Sequence, residues 1–112
     1  MFKNIIKDVS VQTKTKKIDW QIINNDPFSA IDMLEKACEK TERETEKMGD
    51  ILFLMGLCRL EIRTRRSCPR KKAYNLEEAI EAFKKALKEY PLEAKKKIEQ
   101  TKVVLEKARD LR

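Results

Sequence analysis

The chain has 112 residues, of which 41% are hydrophobic and 40% are charged, and it contains only two glycines and three prolines. This composition favours a single domain of long helices over a β-rich fold. The net charge is +7 without any histidine, and no apolar run approaches the roughly 18 residues of a membrane span. We therefore expect one all-α domain over residues 1–112 with no membrane partner. A cytoplasmic location is expected, because the first residues lack the apolar core of a secretory signal.

The N-terminal part of the chain has the least regular pattern. Residues 1–15 are predicted as a frayed start. Val9 and Val11 alternate with polar residues as in a strand, but a single strand would lack a partner. We expect a short helix around residues 16–23 that packs Trp20 onto the bundle.

Two helices are predicted in the middle of the chain. Asp26 suits an N-cap and Pro27 the first helical position, so a helix begins here and carries an apolar face. The charged run TERETEK at residues 41–47 separates this helix from the next, and we place the break at residues 48–50. The helix predicted over residues 51–63 is apolar nearly all round, which indicates a central, buried element.

The C-terminal part of the chain predicts two further helices. Asn75 suits an N-cap, an apolar stripe follows over residues 76–90, and Pro91 ends the helix. Residues 92–112 carry a narrower apolar stripe, which predicts a helix that caps the bundle.

A basic segment lies between two predicted helices and carries most of the net charge. Residues 63–72 (RTRRSCPRKK) hold six cations and no acid. The prediction is a basic inter-helix loop over residues 63–75. Three interpretations stay open: a solvated insertion, a surface for an acidic protein partner, or a nucleic-acid contact without sequence specificity. The candidate binding cations are Arg63, Arg65, Arg66, Arg70, Lys71 and Lys72.

The cysteines predict no metal site, because they form no C-x-x-C motif and the chain has no histidine. Cys38 and Cys58 fall on apolar helical faces. Cys68 lies between Arg66 and Arg70, and neighbouring cations lower the pKa of a thiol. An incidental exposed cysteine and a redox or cross-linking cysteine both remain open.

Two segments share one spacing of small and large residues. Ala30-x-x-x-Leu34-x-x-Ala37 matches Ala79-x-x-x-Phe83-x-x-Ala86, Pro91 follows the second copy, and Gly56 precedes it on another helix. The pattern over residues 27–91 resembles a tetratricopeptide repeat with one full repeat and half of another. Two departures from the family are Arg59, where an aromatic residue is usual, and about eleven extra residues between Gly56 and Ala79, which contain the basic segment.

The resemblance implies antiparallel helical hairpins in a bundle of four to five helices and a groove that binds peptides. Its groove positions fall on Asp50, Phe53, Leu57 and Leu60, which suit an apolar partner helix and not a carboxylate clamp. We expect the N-terminal segment to cover this groove. Because the family usually stacks three or more repeats, a homodimer is an alternative.

The sequence offers little chemistry for catalysis. It has no histidine, no glycine-rich phosphate loop and no serine beside a base. We expect no enzyme activity and no cofactor. The predicted function is a protein–protein adaptor that binds a helix or an acidic segment through the apolar groove and the basic loop. The alternative is a nonspecific nucleic-acid-binding accessory subunit that uses the basic loop.

Overall fold

The computed structural model describes residues 9–112, which form a short β-hairpin followed by five helices. The hairpin pairs β1 (Val11–Gln12) with β2 (Lys17–Ile18) in antiparallel fashion. The helices are α1 (Trp20–Asn25), α2 (Pro27–Lys40), α3 (Glu46–Thr64), α4 (Pro69–Glu89) and α5 (Lys95–Arg109). The prediction of an all-α bundle of four to five helices is confirmed.

The central element of the bundle is α3, which packs against α1, α2 and α4, while α5 packs against α4. Buried residues lie on nearly every side of α3, as its apolar pattern predicts. Each fully buried leucine or isoleucine contributes about 1.5 to 3 kcal/mol of transfer free energy. The helix therefore organises the core, whose α3 members include Ile51, Phe53, Leu54, Leu57 and Cys58.

The tightest approach in the bundle joins α3 to α4 at two glycines. A Cβ atom on Gly56 would lie 2.4 Å from the Phe83 ring, and one on Gly49 would lie 2.3 Å from the Tyr90 ring. The two contacts are seven residues apart on each helix and run in opposite directions, as antiparallel neighbours require. Only a residue without a side chain leaves room for these rings.

The connection between α3 and α4 is shorter than predicted. The basic loop expected over residues 63–75 is largely helical, because α3 continues to Thr64 and α4 begins at Pro69. Proline suits this first helical position, since its missing N–H would have no intrahelical partner. Asn75 is not an N-cap: it is buried within α4, and its amide nitrogen donates to the Lys71 carbonyl at 2.9 Å.

The break between α2 and α3 lies at residues 41–45, not at the predicted residues 48–50. The backbone turns at Glu44, whose φ is 60°. The buried Glu89 carboxylate fixes this turn, accepting from the Glu44 N–H at 2.6 Å and from Arg43 Nε at 2.9 Å. We define Arg43, Glu44 and Glu89 as the carboxylate lock. Gly49, inside the predicted break, lies within α3 and makes room for Tyr90.

The N-terminal segment is more ordered than predicted within the described residues. Residues 1–8 lie outside the described residues, so the fraying predicted for them stays a prediction. Val9 and Val11 are buried, and β1 does find a partner strand. The short helix begins later than predicted, at Trp20, with the Asp19 carboxylate accepting from the Ile22 N–H at 3.1 Å.

A buried polar cluster attaches α5 to the other helices. Asp50 on α3 accepts from the Tyr90 hydroxyl at 2.7 Å and from Lys97 Nζ at 2.9 Å. Burial raises the pKa of the Asp50 carboxyl, although both hydrogen bonds oppose that shift. Lys97 also donates to Glu46 at 2.6 Å. The predicted groove residue Asp50 is therefore committed to contacts within the protein.

Candidate functional site

The six predicted cations lie around the short connection between α3 and α4, which we call the basic turn (residues 63–72). Arg63 ends α3, Arg65 and Arg66 lie in the connection, and the other three belong to the first turn of α4. The two helices are antiparallel neighbours, so all six cations lie at one end of the bundle. The predicted concentration of charge is therefore preserved in three dimensions.

Two of these cations fasten the basic turn to the bundle. The Arg65 guanidinium donates to the carbonyl of Asn24 and lies 3.8 Å from the Glu61 carboxylate. The Arg66 guanidinium lies over the Phe28 ring at 5.0 Å from its centroid. Such a contact is worth about 0.5 to 1 kcal/mol at an exposed site. Arg65 and Arg66 therefore position the turn.

The remaining cations of the basic turn have no partner of opposite charge in the part of the chain that the structure describes. Among residues 9–112, no carboxylate lies within 4.0 Å of the side-chain nitrogens of Arg63, Arg70, Lys71 or Lys72. The first turn of α4 also contains no acid and no side-chain cap. Cations at a helix N-terminus face the positive end of the helix dipole, which is unfavourable. An acidic partner would relieve this arrangement.

A groove of about 420 Å³ adjoins the basic turn, and its walls come from α2, α3 and α4. We call it the aromatic groove and define it by Phe28, Arg59, Arg66, Lys71 and Tyr74. Phe28 is 40% exposed and Tyr74 is 56% exposed. An arginine guanidinium lies over each ring. The distance to the ring centroid is 5.6 Å for Arg59 over Tyr74 and 5.0 Å for Arg66 over Phe28. Lys71 belongs to both the groove and the basic turn.

The electrostatics of the aromatic groove are mixed. Asp32 and Glu35 line the wall formed by α2, and Arg59 of α3 and Arg66 of the connection line the same groove. Arg59 Nη1 donates to Asn75 Oδ1 at 3.2 Å, which fixes the guanidinium beside Tyr74. The carboxylates repel a continuous row of phosphates, whereas a peptide can place a basic or polar group beside them. The groove therefore suits a peptide better than a nucleic-acid backbone.

The predicted apolar groove residues lie in the core. Phe53 and Leu57 are fully buried and Leu60 is 5% exposed, and the Phe53 ring centroid lies 5.8 Å from that of Phe83. Leu57 and Leu60 line a small pocket of about 130 Å³ together with Trp20 of α1. The N-terminal segment packs against α3 through α1 and β1. Arg63 of the basic turn lines the same pocket, so the structure brings one predicted cation beside two predicted groove leucines.

Cys68 lies at the N-cap position of α4 and is exposed. The backbone N–H groups of Lys71 and Arg70 lower the pKa of its thiol. Burial instead raises the pKa of Cys58 and of Cys38. The lowered pKa of Cys68 agrees in direction with the prediction, but its main cause is the backbone N–H groups of Lys71 and Arg70 and not the charges of Arg66 and Arg70.

Sequence analysis missed Phe28 and Arg59 as groove residues. Phe28 was expected in the core, but the neighbouring Pro27 is buried, and one residue along an α-helix rotates about 100° around its axis. This rotation is the signal that could have placed Phe28 outside the core. Arg59 was noted only as a departure from an aromatic position, and its contact with Tyr74 spans two helices.

Within residues 9–112, no group of three or more histidine, cysteine, aspartate or glutamate side chains is arranged to hold a metal ion. No helix in this range is both long and apolar enough to cross a membrane. No family model matches the chain, and neither a curated protein nor a solved structure matches it.

Proposed function

We propose that this protein is a non-enzymatic cytoplasmic adaptor that binds an acidic segment of a protein partner at the basic turn and the aromatic groove. One observation carries the proposal: cations of the first turn of α4, which form no ion pair among residues 9–112, lie beside a groove with two exposed aromatic rings. Acidic side chains of a partner would contact Arg70, Lys71 and Lys72. Apolar side chains of the same partner would contact Phe28 and Tyr74.

The apolar groove of Phe53, Leu57 and Leu60 is a secondary element of this proposal. Its use requires a partner helix to replace the N-terminal segment, including Trp20. The tetratricopeptide-like interpretation is likewise part of the proposal. The contact of Gly56 with Phe83 supports it, since the resemblance expects a small residue facing a large one between these helices.

A direct test uses a fluorescent peptide of about 20 glutamate and leucine residues, long enough for several helical turns. Binding is measured by anisotropy at about 150 mM salt, where distant charges are screened. The triple variant R70S/K71S/K72S should weaken binding about tenfold or more, which corresponds to 1.4 kcal/mol. Adding Tyr74→Ala to this triple variant should weaken peptide binding further.

The matched control is K95S/K96S/K102S, which removes three positive charges from exposed positions on α5. It should leave peptide affinity within about twofold. Equal losses in the two triple variants would show that net charge, not the basic turn, drives the association. A wild-type protein that fails to bind the peptide would contradict the proposal.

A single-stranded oligonucleotide in the same assay tests the nucleic-acid alternative. Tight binding would favour that alternative over a protein partner if the logarithm of the affinity falls with the logarithm of the salt concentration with a slope of about −0.7 for each phosphate neutralised. Sedimentation of the free protein then separates both from a homodimer, because a second copy would occupy the surface without any added ligand.

A further inference from the structure

A second cavity lies away from the basic turn, between the β-hairpin and α2. Its volume is about 450 Å³, which falls in the range of small-molecule sites. Four lysines from three parts of the fold line it, and we call it the lysine pocket: Lys14 from the hairpin turn, Lys36 and Lys40 from α2, and Lys47 from α3. No acidic residue in the range 9–112 lines this pocket.

The carboxylates of Glu46 and Glu89 have partners outside the lysine pocket, whereas Asp32 and Glu39, close to Lys36 in the sequence, do not line the pocket and form no ion pair within residues 9–112. Glu46, the neighbour of Lys47, accepts from Lys97 on α5 at 2.6 Å. Glu89 accepts from Arg43 and from the Glu44 N–H. Within the described residues, none of the four pocket lysines forms an ion pair. Their positive charges therefore add up in a concave space, which concentrates anions.

The threonine hydroxyl groups that line the pocket already donate hydrogen bonds within the protein. The Thr13 hydroxyl donates to the Lys16 carbonyl at 2.6 Å, and the Thr41 hydroxyl donates to the Ala37 carbonyl at 2.6 Å. Thr15 donates to Met33 Sδ at 3.2 Å, which holds the hairpin against α2. The side-chain donors left for a ligand are the lysine ammonium groups and the second N–H of Gln12, whose first N–H donates to the Thr13 carbonyl at 2.9 Å. A ligand that satisfies them must be rich in acceptors and negatively charged.

The positive charges of the four pocket lysines repel one another. Lys36 and Lys40 are four residues apart on one helix face, and like charges at this spacing destabilise a helix by about 0.2 to 0.5 kcal/mol. Lys14 and Lys47 add further positive charge from separate elements. A bound polyanion would replace this repulsion with attraction, and several phosphate groups in one compact molecule match four cations that line one cavity.

We propose that the lysine pocket binds a compact anion carrying several phosphate groups, either free in solution or as the headgroup of a phosphoinositide lipid. This inference is independent of the adaptor function, because the pocket shares no residue with the basic turn or the aromatic groove. Met33 and Ala37 form its apolar lining, and the lysines supply affinity from its rim.

The test titrates inorganic tripolyphosphate into the full chain by calorimetry at about 150 mM salt. The wild type should bind with one-to-one stoichiometry. K36Q/K40Q should weaken binding about tenfold or more, because two charges close to the anion are lost. K36R/K40R should retain most of the affinity, since the positive charge is kept. Circular dichroism confirms that each variant is folded.

Two control variants locate the site. K95Q/K96Q removes the same charge from α5, and R70S/K71S/K72S removes charge from the basic turn. Each should change tripolyphosphate affinity by less than about threefold. If either control weakens binding as much as K36Q/K40Q does, the association is nonspecific and the proposal is overturned. Failure of acidic peptide binding would affect only the adaptor function.

A vesicle arm distinguishes the two sources of the anion. Phosphatidylcholine vesicles with phosphatidylinositol bisphosphate are compared with phosphatidylserine vesicles of equal charge. Binding to the first that K36Q/K40Q removes identifies a lipid headgroup. Tripolyphosphate binding without vesicle binding identifies a soluble ligand. If the wild type binds neither probe, or binds both vesicle types equally, the proposal is overturned.

Discussion

The two ends of the α3–α4 pair use charge in opposite ways. At one end, the carboxylate lock and the cluster of Asp50, Tyr90 and Lys97 give the buried carboxylates of Glu89 and Asp50 cationic partners, although the Arg43 side chain itself is 81% exposed. At the other end, the basic turn leaves four cations without a carboxylate partner among residues 9–112. A buried charge with partners fixes the backbone, whereas an exposed charge without one remains available to another molecule.

The largest expected effect lies between these two ends. We call the contacts of Gly49 with Tyr90 and of Gly56 with Phe83 the seam. Phe83→Ala should lower the free energy of unfolding by about 3 to 5 kcal/mol, because the ring is fully buried against Gly56 and Phe53. Phe28→Ala removes the same atoms from a ring that is 40% exposed and should cost less than about 1.5 kcal/mol. Urea denaturation measures both, and equal losses would contradict the distinction between core and groove.

A smaller effect is expected at the carboxylate lock. Glu89→Gln should cost about 1.5 to 3 kcal/mol at neutral pH, because hydrogen bonds to a charged acceptor are lost at a buried site. Glu81→Gln is the control, since that glutamate is 55% exposed and lies 3.6 Å from Lys84. It should change stability by less than about 0.5 kcal/mol.

The same variant predicts a pH dependence. The hydrogen bond from Arg43 and the Glu44 N–H hold the pKa of Glu89 below its ordinary value of 4.5. The stabilisation is therefore complete above that value and is lost as the pH falls through the lower pKa of the folded state. The difference in unfolding free energy between wild type and Glu89→Gln should shrink in acid. A difference that stays constant down to about pH 2 would exclude the carboxylate as the acceptor.

The smallest effect is expected at the basic turn. R70S/K71S/K72S should change the free energy of unfolding by less than about 0.5 kcal/mol, because these cations make no ion pair within residues 9–112. Arg65→Ser should cost more, since Arg65 donates to the Asn24 carbonyl and lies near Glu61. Thermal melting checks the order of the two. A large loss in the triple variant would assign these cations a structural role.

Local patterns predicted the parts of the fold that local patterns determine. The apolar stripe of α4 is buried from Leu76 through Ala86, and the apolar character of α3 marks it as central. Asn75 has the local features of an N-cap, but its side chain bonds to Arg59 on another helix. Glu89 drew no prediction from the sequence, because its partners are more than 40 residues away in the chain. Such contacts depend on tertiary packing and leave no periodic signal.

The candidate site was predicted only in part, because contacts that depend on tertiary packing leave no signal in the sequence. Charge is a property of the sequence, so the six cations of the basic turn were identified from residues 63–72 alone. The aromatic groove needs Phe28, Arg59 and Tyr74 from three helices, and their proximity follows only from the packing. Phe53 and Leu57 were assigned to a groove by analogy with a repeat, but the bundle buries them.

The paired glycine contacts of the seam have a consequence for protein engineering. Gly49 against Tyr90 and Gly56 against Phe83 fix how far α4 can slide along α3, and neither contact involves the residues that join the helices. The length of the connection at residues 65–68 is therefore not what aligns the two helices. Added residues there cost mainly loop entropy, which grows slowly with length. This site should accept an inserted epitope or fluorophore while the rest of the bundle folds unchanged.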